Sequence, residues 1–141
     1  MARNTKTDQL RGVQMFSACT DKELAQIARA CDEVAVDAGA VIVEEGAAGE
    51  HFYLIASGEA TVTRGGQTLA TLTSGQYFGE LSLLDPGPRN ASVTAVTAMM
   101  LLKLGRQEFA AVLDSWPGVA HKLLEQMAKR LRNADERAFT Y

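Results

Sequence analysis

The amino-acid sequence predicts a mostly-β domain with flanking helices, on three observations. Short runs rich in β-branched and aromatic residues fill the middle of the chain, from Asp32 to Leu104. Glycines cut those runs at intervals of roughly ten residues, the spacing of an antiparallel sandwich or barrel. Helical periodicity appears only before and after that stretch.

Taken in order, Met1 to Leu10 shows no apolar pattern and is expected to be loose. Thr20-Asp21-Lys22-Glu23 reads as a capping box, in which Thr20 caps free amides while Glu23 reaches back. Leu24, Ile27 and Ala28 then recur at helical spacing, giving a short helix to about Cys31. The predicted strands are Glu33–Val36, Val41–Glu44, Phe52–Ala56, Glu59–Thr63, Thr68–Leu72, Ser92–Thr97 and Met99–Leu104. Arg64-Gly65-Gly66-Gln67 is a hairpin turn whose paired glycines supply positive φ. Beyond Gly105, Phe109, Val112 and Leu113 line a helix that Pro117 ends. A longer helix follows from about Gly118, with Leu123, Leu124, Met127, Leu131 and Ala134 assigned to one face.

Composition bounds the function. The 141 residues are 47% hydrophobic and 22% charged, enough for one domain with a core and too few for two. A net charge of −3 gives no global field to attract nucleic acid or an anionic membrane. The longest apolar stretch, Ala98 to Leu102, is far short of the roughly 20 residues a membrane span needs. The polar start is unlike a signal peptide. Cys19 and Cys31 form neither a disulfide framework nor a zinc motif, so a reducing cytoplasm is expected. His51 and His121 lack a metal-ligand partner at helical spacing, and the Asn90-Ala91-Ser92 sequon is read as chance.

One segment breaks the strand rhythm, Phe78-Gly79-Glu80-Leu81-Ser82-Leu83-Leu84-Asp85-Pro86-Gly87-Pro88-Arg89-Asn90-Ala91-Ser92-Val93. Glu80 to Leu84 is read as one helical turn. An Asp-Pro-Gly-Pro turn then returns Arg89 to its start. Free amides at a helix start and a permanently charged, bidentate guanidinium suit a phosphate. An acidic residue beside a phosphate makes sense when it accepts a sugar hydroxyl, as acidic residues do for ribose in dinucleotide folds. Phosphate and sugar together describe a nucleotide.

This segment resembles the phosphate-binding cassette of cyclic-nucleotide-binding domains, the family of protein kinase A regulatory subunits, catabolite activator proteins and cyclic-nucleotide-gated channels. Glu45-Gly46, Gly49, Phe52-Tyr53-Leu54-Ile55, Gly58 and Gly75-Gln76-Tyr77 extend the resemblance over nearly the whole chain. The resemblance implies a double-stranded β-helix (jelly-roll) with a short N-terminal helix, a cassette helix and two C-terminal helices. It implies that Gly79, Glu80, Leu81, Ser82, Arg89, Asn90 and Ala91 bind cAMP, with Arg89 on the cyclic phosphate and Glu80 on the ribose 2′-hydroxyl. It makes residues 118–141 a lid helix and brings Arg130 to the base, with Phe78, Val62 and Ala70 as further wall positions. Lys122, Lys129, Arg130, Arg132 and Arg137 equally read as a solvated basic face.

The expected function is a cytosolic cAMP sensor or regulatory module that signals through its C-terminal helix. No cofactor is implied, and the partner is an effector protein or a second copy through that helix. Asn90 stands where kinase A subunits carry Ala and cGMP-responsive members carry Thr, which leaves cGMP open with cAMP preferred. The alternative is a fragment of a catabolite-activator-type transcription regulator lacking its DNA-binding part, since no helix-turn-helix fits before Tyr141. An enzyme is not expected, for no catalytic motif or metal cluster is visible. A scaffold that has discarded the ligand would not keep the Glu80–Arg89 pair.

Overall fold

The computed structural model describes residues 5–84 and 87–133. Asp85 and Pro86 of the expected turn, and Ala134, Asp135 and Arg137, lie outside the described residues.

The chain begins differently from its sequence expectation. Helix α1 (Thr5–Arg11) replaces a loose start, followed by a 3-10 turn at Gln14–Phe16. A single large apolar residue, Leu10, gives α1 no readable period. Tertiary packing supplies its stability instead, as for most short helices. Leu10, Val13, Met15 and Phe16 are all buried against helix α2 (Asp21–Ala30) and the sheet beyond it. The capping box forms as read: the Glu23 amide donates to Thr20 Oγ1 at 3.2 Å, and the Thr20 amide donates to Glu23 Oε1 at 2.8 Å.

Eight strands follow: β1 (Asp32–Val36), β2 (Val41–Val43), β3 (His51–Ser57), β4 (Ala60–Arg64), β5 (Gln67–Leu72), β6 (Tyr77–Phe78), β7 (Ser92–Ala95) and β8 (Met99–Gly105). They form two four-stranded antiparallel sheets, ordered β1-β8-β3-β6 and β2-β7-β4-β5. Apart from the β4–β5 hairpin, sequence neighbours alternate between the sheets, which is the jelly-roll arrangement. At the β4–β5 hairpin, Gly65 and Gly66 have φ of 57° and 79°, the positive pair that a two-residue turn requires. β6, only two residues long, carries too little pattern to be read from sequence.

Strand alternation divides the core in two. On β3, Phe52 and Leu54 face the helices, while Tyr53 and Ile55 face the roll interior. On β8, Leu102 and Leu104 face the helices, while Met99 and Leu101 face the interior. Helix α3 (Glu80–Leu84) interrupts the strands, and α4 (Arg106–Ser115) and α5 (Pro117–Asn133) close the chain. Trp116 forms the elbow between them: its amide donates to Val112 O at 3.0 Å, and its carbonyl accepts from Val119 N at 2.9 Å. Pro117 opens α5, the position where a missing amide costs nothing. The α5 face is narrower than expected. Val119 and Leu123 are buried and Met127 half-buried, but Leu124 and Leu131 are 64% and 59% exposed. Both sit about 100° round the helix from the buried ridge. No helix among the described residues is long and apolar enough to cross a membrane.

Candidate functional site

The site is built where β6 meets α3. Gly79 joins them with φ +94°, a conformation that L side chains rarely adopt. A Cβ there would sit 2.7 Å from both Arg89 Nη1 and His51 O. The left-handed turn starts α3 at Glu80 and lets the Arg89 guanidinium lie directly against the Gly79 backbone.

Arg89 is 7% exposed, unusual for an arginine. Its backbone is fixed at both ends, with Arg89 N donating to Ala47 O at 2.7 Å and Arg89 O accepting from Gly46 N at 2.8 Å. Its guanidinium donates from Nη1 to Gly79 O at 3.1 Å and from Nη2 to His51 O at 2.7 Å. A guanidinium carries five donors, so these two contacts orient it and leave capacity for an anion. Burial, followed by Tyr53 and Glu80, governs its electrostatics; desolvation lowers its proton affinity and the other two restore it.

Glu80 is completely buried. Its Oε2 accepts from Arg130 Nη1 of α5 at 3.2 Å, while Oε1 is buried with no hydrogen-bond partner. Burial pushes the carboxyl above its ordinary pKa, and Arg130 pulls it back, helped by the residue's own amide and Arg89. Arg130 also lies over the Tyr77 ring, 5.5 Å from its centroid. The Tyr77 hydroxyl donates to Gln126 Oε1 on the same helix. Burial raises the Tyr77 phenol to about 12, so it remains a donor at neutral pH. Two side chains of β6 and α3 thus hold two of α5, joining the cassette to the last helix.

Three further residues brace the cassette, and the sequence analysis gave none of them a role at the site. Arg106, first residue of α4, donates from Nη2 to Gly49 O at 2.7 Å and reaches the Ser82 and Leu83 carbonyls at 3.4 Å. Gly49 packs so tightly that an added Cβ would lie 2.3 Å from Ser82 Cβ and 2.9 Å from Arg89 Cζ. Arg64 Nε donates to Asn90 O at 2.7 Å, tying the cassette to the β4–β5 hairpin. These are contacts between residues 23 to 57 apart in sequence, invisible to local pattern.

The other expected positions divide between slot and core. Phe78, Gly79, Leu81, Ser82, Arg89, Asn90 and Ala91 all line one enclosed slot with room for only about 10 Å3. Leu81, Ser82 and Asn90 also line a cleft of about 590 Å3 that extends to Met127 of α5, a size usual for ligand pockets. Val62 is fully buried in the roll interior, paired with half-buried Ala70 across β4 and β5; neither lines the slot. His121 lies exposed, 3.4 Å from Glu125. Among the described residues no group of acidic, His or Cys side chains could hold a metal.

With that geometry in view, known proteins fall into place. The profile described as "Cyclic nucleotide-binding domain" matches residues 33–115. The chain is 46% identical to a cyclic AMP receptor protein of Thermus thermophilus over 102 residues, 69% of this chain and 47% of that protein. It is 41% identical to a cAMP-dependent protein kinase regulatory subunit of Yarrowia lipolytica over 106 residues, 74% of this chain and 28% of that one. The crystal structure of the Thermus thermophilus catabolite activator protein superposes with a TM-score of 0.81 at 38% identity, covering 86% of this chain and 60% of the other. The chain therefore spans half or less of these curated relatives' length. From the roll, the buried Glu80 and Arg89 and the matched residues together, the chain belongs to the cyclic nucleotide-binding domain family.

Proposed function

We propose that this chain is a regulatory module that binds cAMP and passes the event on through α5. The observation that carries the reading is one cation and one anion, Arg89 and Glu80, buried on either side of Gly79. Arg89 offers donors to a cyclic phosphate. Glu80 Oε1 offers an empty acceptor to a ribose hydroxyl. A cyclic nucleotide presents both groups at once. The relatives named for cyclic AMP support adenine as the base, and Asn90 is a poor copy of a Thr hydroxyl for guanine.

The site binds and does not transform its ligand, in a reducing cytoplasm where Cys19 and Cys31 stay free. Burial raises the Cys31 thiol to about 12, far from reactive. Calorimetric titration with cAMP, cGMP and 5′-AMP tests the reading. cAMP should bind tightest and 5′-AMP weakest. Equal or tighter cGMP binding overturns the choice of base, and equal 5′-AMP binding overturns the cyclic phosphate.

A second reading makes the chain the sensory part of a catabolite-activator-type regulator. The identity to the Thermus receptor favours it, as do Leu124 and Leu131, exposed seven residues apart on α5, a spacing that suits pairing of two copies. Sedimentation at micromolar concentration, with and without cAMP, distinguishes a dimer from a monomer.

A further inference from the structure

We infer that Arg64, at the end of β4, is a positioning residue that fixes the Asn90–Ala91 peptide at the slot and sets how the cassette distinguishes the two exocyclic oxygens of a cyclic phosphate. This rests on the cyclic-nucleotide reading above and deepens it. A strand ladder stops just short of the slot. β4 and β7 pair as far as Thr63 with Ser92. Continued at the same register, they would set Gly65 opposite Asn90. Instead the Gly65 amide donates to Glu45 Oε1 at 3.0 Å, and the Asn90 carbonyl accepts from Arg64 Nε at 2.7 Å. Two side chains thus replace the main-chain partners. Glu45 also donates its own amide to Ser92 Oγ at 2.8 Å, so the cassette exit is held from both flanks.

The Asn90 carbonyl and the Ala91 amide belong to one peptide unit, planar and trans. Fixing the oxygen therefore fixes the direction of the amide. Both residues line the slot with Arg89, so on the reading above this peptide is one of the walls a phosphate meets. A long side chain satisfies the carbonyl without drawing the hairpin backbone alongside the slot. A cyclic phosphate carries two exocyclic oxygens pointing different ways. Walls of fixed direction meet them unequally, whereas a wall free to tilt follows whichever oxygen arrives. A tie of this kind acts by preorganising the phosphate wall, so its loss should favour no base or sugar.

The test measures affinities of the full chain and its Arg64→Met and Arg64→Lys forms for cAMP, cGMP, 2′-deoxy-cAMP and the Sp and Rp phosphorothioates of cAMP, in which sulfur replaces one or the other exocyclic oxygen. Arg64→Met should weaken cAMP by roughly fivefold, the worth of one ordinary hydrogen bond. The ratios of cAMP to cGMP and to 2′-deoxy-cAMP should hold, while the Sp-to-Rp ratio narrows by about threefold or more. Arg64→Lys keeps a donor without the planar fork, so it should recover part of both effects. Loss of a nearby positive charge alone would weaken every ligand alike and be repaired fully by lysine. An unmoved Sp-to-Rp ratio, or a loss that differs between bases, overturns the assignment.

A readout without ligand separates this failure from failure of the cAMP reading. Nitrogen-15 relaxation of the unliganded chain should give the Ala91 amide a rigid order parameter of about 0.85, falling toward about 0.6 in Arg64→Met. The Asn90 carbonyl carbon-13 resonance should shift in the same variant, because its donor is gone. An unchanged order parameter and carbonyl shift overturn the hold of Arg64 on this peptide even if cAMP binds. If no cyclic nucleotide binds the unsubstituted chain, the functional reading falls while the relaxation data still decide the tie.

Discussion

The roll interior and the cassette are buried to similar depth and could hardly differ more in content. Between the sheets, Ile55, Val62, Phe78, Val93 and Leu101 pack as one apolar cluster. A few ångströms away, Glu80, Ser82 and Arg89 are buried in a short helix and loop. Apolar burial stabilises at about 25 cal/mol per Å2. A buried ion pair scarcely repays its own desolvation. The difference teaches that the interior makes the domain fold, while the cassette holds charges that folding alone would not select. Stability and recognition are therefore separable by mutation.

The largest contrast is between Leu101→Ala and Arg89→Ala. Leu101 is fully buried between the sheets, so truncation should cost roughly 2–5 kcal/mol of stability through lost burial and a cavity. Urea unfolding reads this, and the surviving folded fraction should keep its ligand preferences. Arg89→Ala should do the reverse. Losing a charge-assisted partner in a shielded site costs about 2–5 kcal/mol of binding, ~30-fold or more in calorimetric affinity, while circular dichroism stays native. Selective loss of binding in Leu101→Ala, or unfolding in Arg89→Ala, would break the separation.

Glu80→Gln sharpens it with a smaller effect. Burial raises the folded-state pKa of Glu80 above the ordinary value of 4.5, so the folded chain holds that proton more tightly than the unfolded chain. Stability must then fall as pH rises from 4.5 toward the raised value. The glutamine form escapes this penalty. Relative to the unsubstituted chain it should therefore gain stability between pH 4.5 and pH 7, read as a difference in melting point that grows with pH. The advantage should disappear on acidification below pH 4.5, even as cAMP affinity falls. The smallest effect belongs to Leu124→Ser. That side chain is 64% exposed, so monomer stability should change by less than ~0.5 kcal/mol, whereas Leu123→Ala one residue away should cost several-fold more.

Much of this was legible in sequence, for identifiable reasons. Strands with two distinct faces announce themselves by alternation and by the glycines that end them, and the Gly65-Gly66 turn follows from positive φ alone. The cassette helix was readable because Gly-Glu before an apolar turn, closed by proline, is a local signal. What escaped is non-local. α1 is fixed by what packs on Leu10, and β6 by pairing of Tyr53 with Phe78 and Leu54 with Tyr77. The face of α5 was misjudged because Leu124 and Leu131 fit a helical stripe as well as Val119 and Leu123 do. Only contact with the 3-10 turn and α4 shows which stripe is covered. The Arg130–Glu80 pair spans 50 residues, and Arg106 looks like any helix-start arginine until its carbonyl partners are seen.

Trp116 is the only tryptophan in the chain, and it stands at the elbow between α4 and α5, half-buried against the helical core. The protein thereby carries an optical gauge at the joint through which a change in the cassette would reach the last helix. Its emission wavelength responds to solvent contact, so any rotation of α5 about the elbow alters fluorescence without a label or a substitution. Tyrosines excite at shorter wavelengths, so excitation at the red edge isolates this one residue. Rapid mixing with nucleotide would then time the elbow directly, and a signal slower than ligand uptake would place the helix movement after binding.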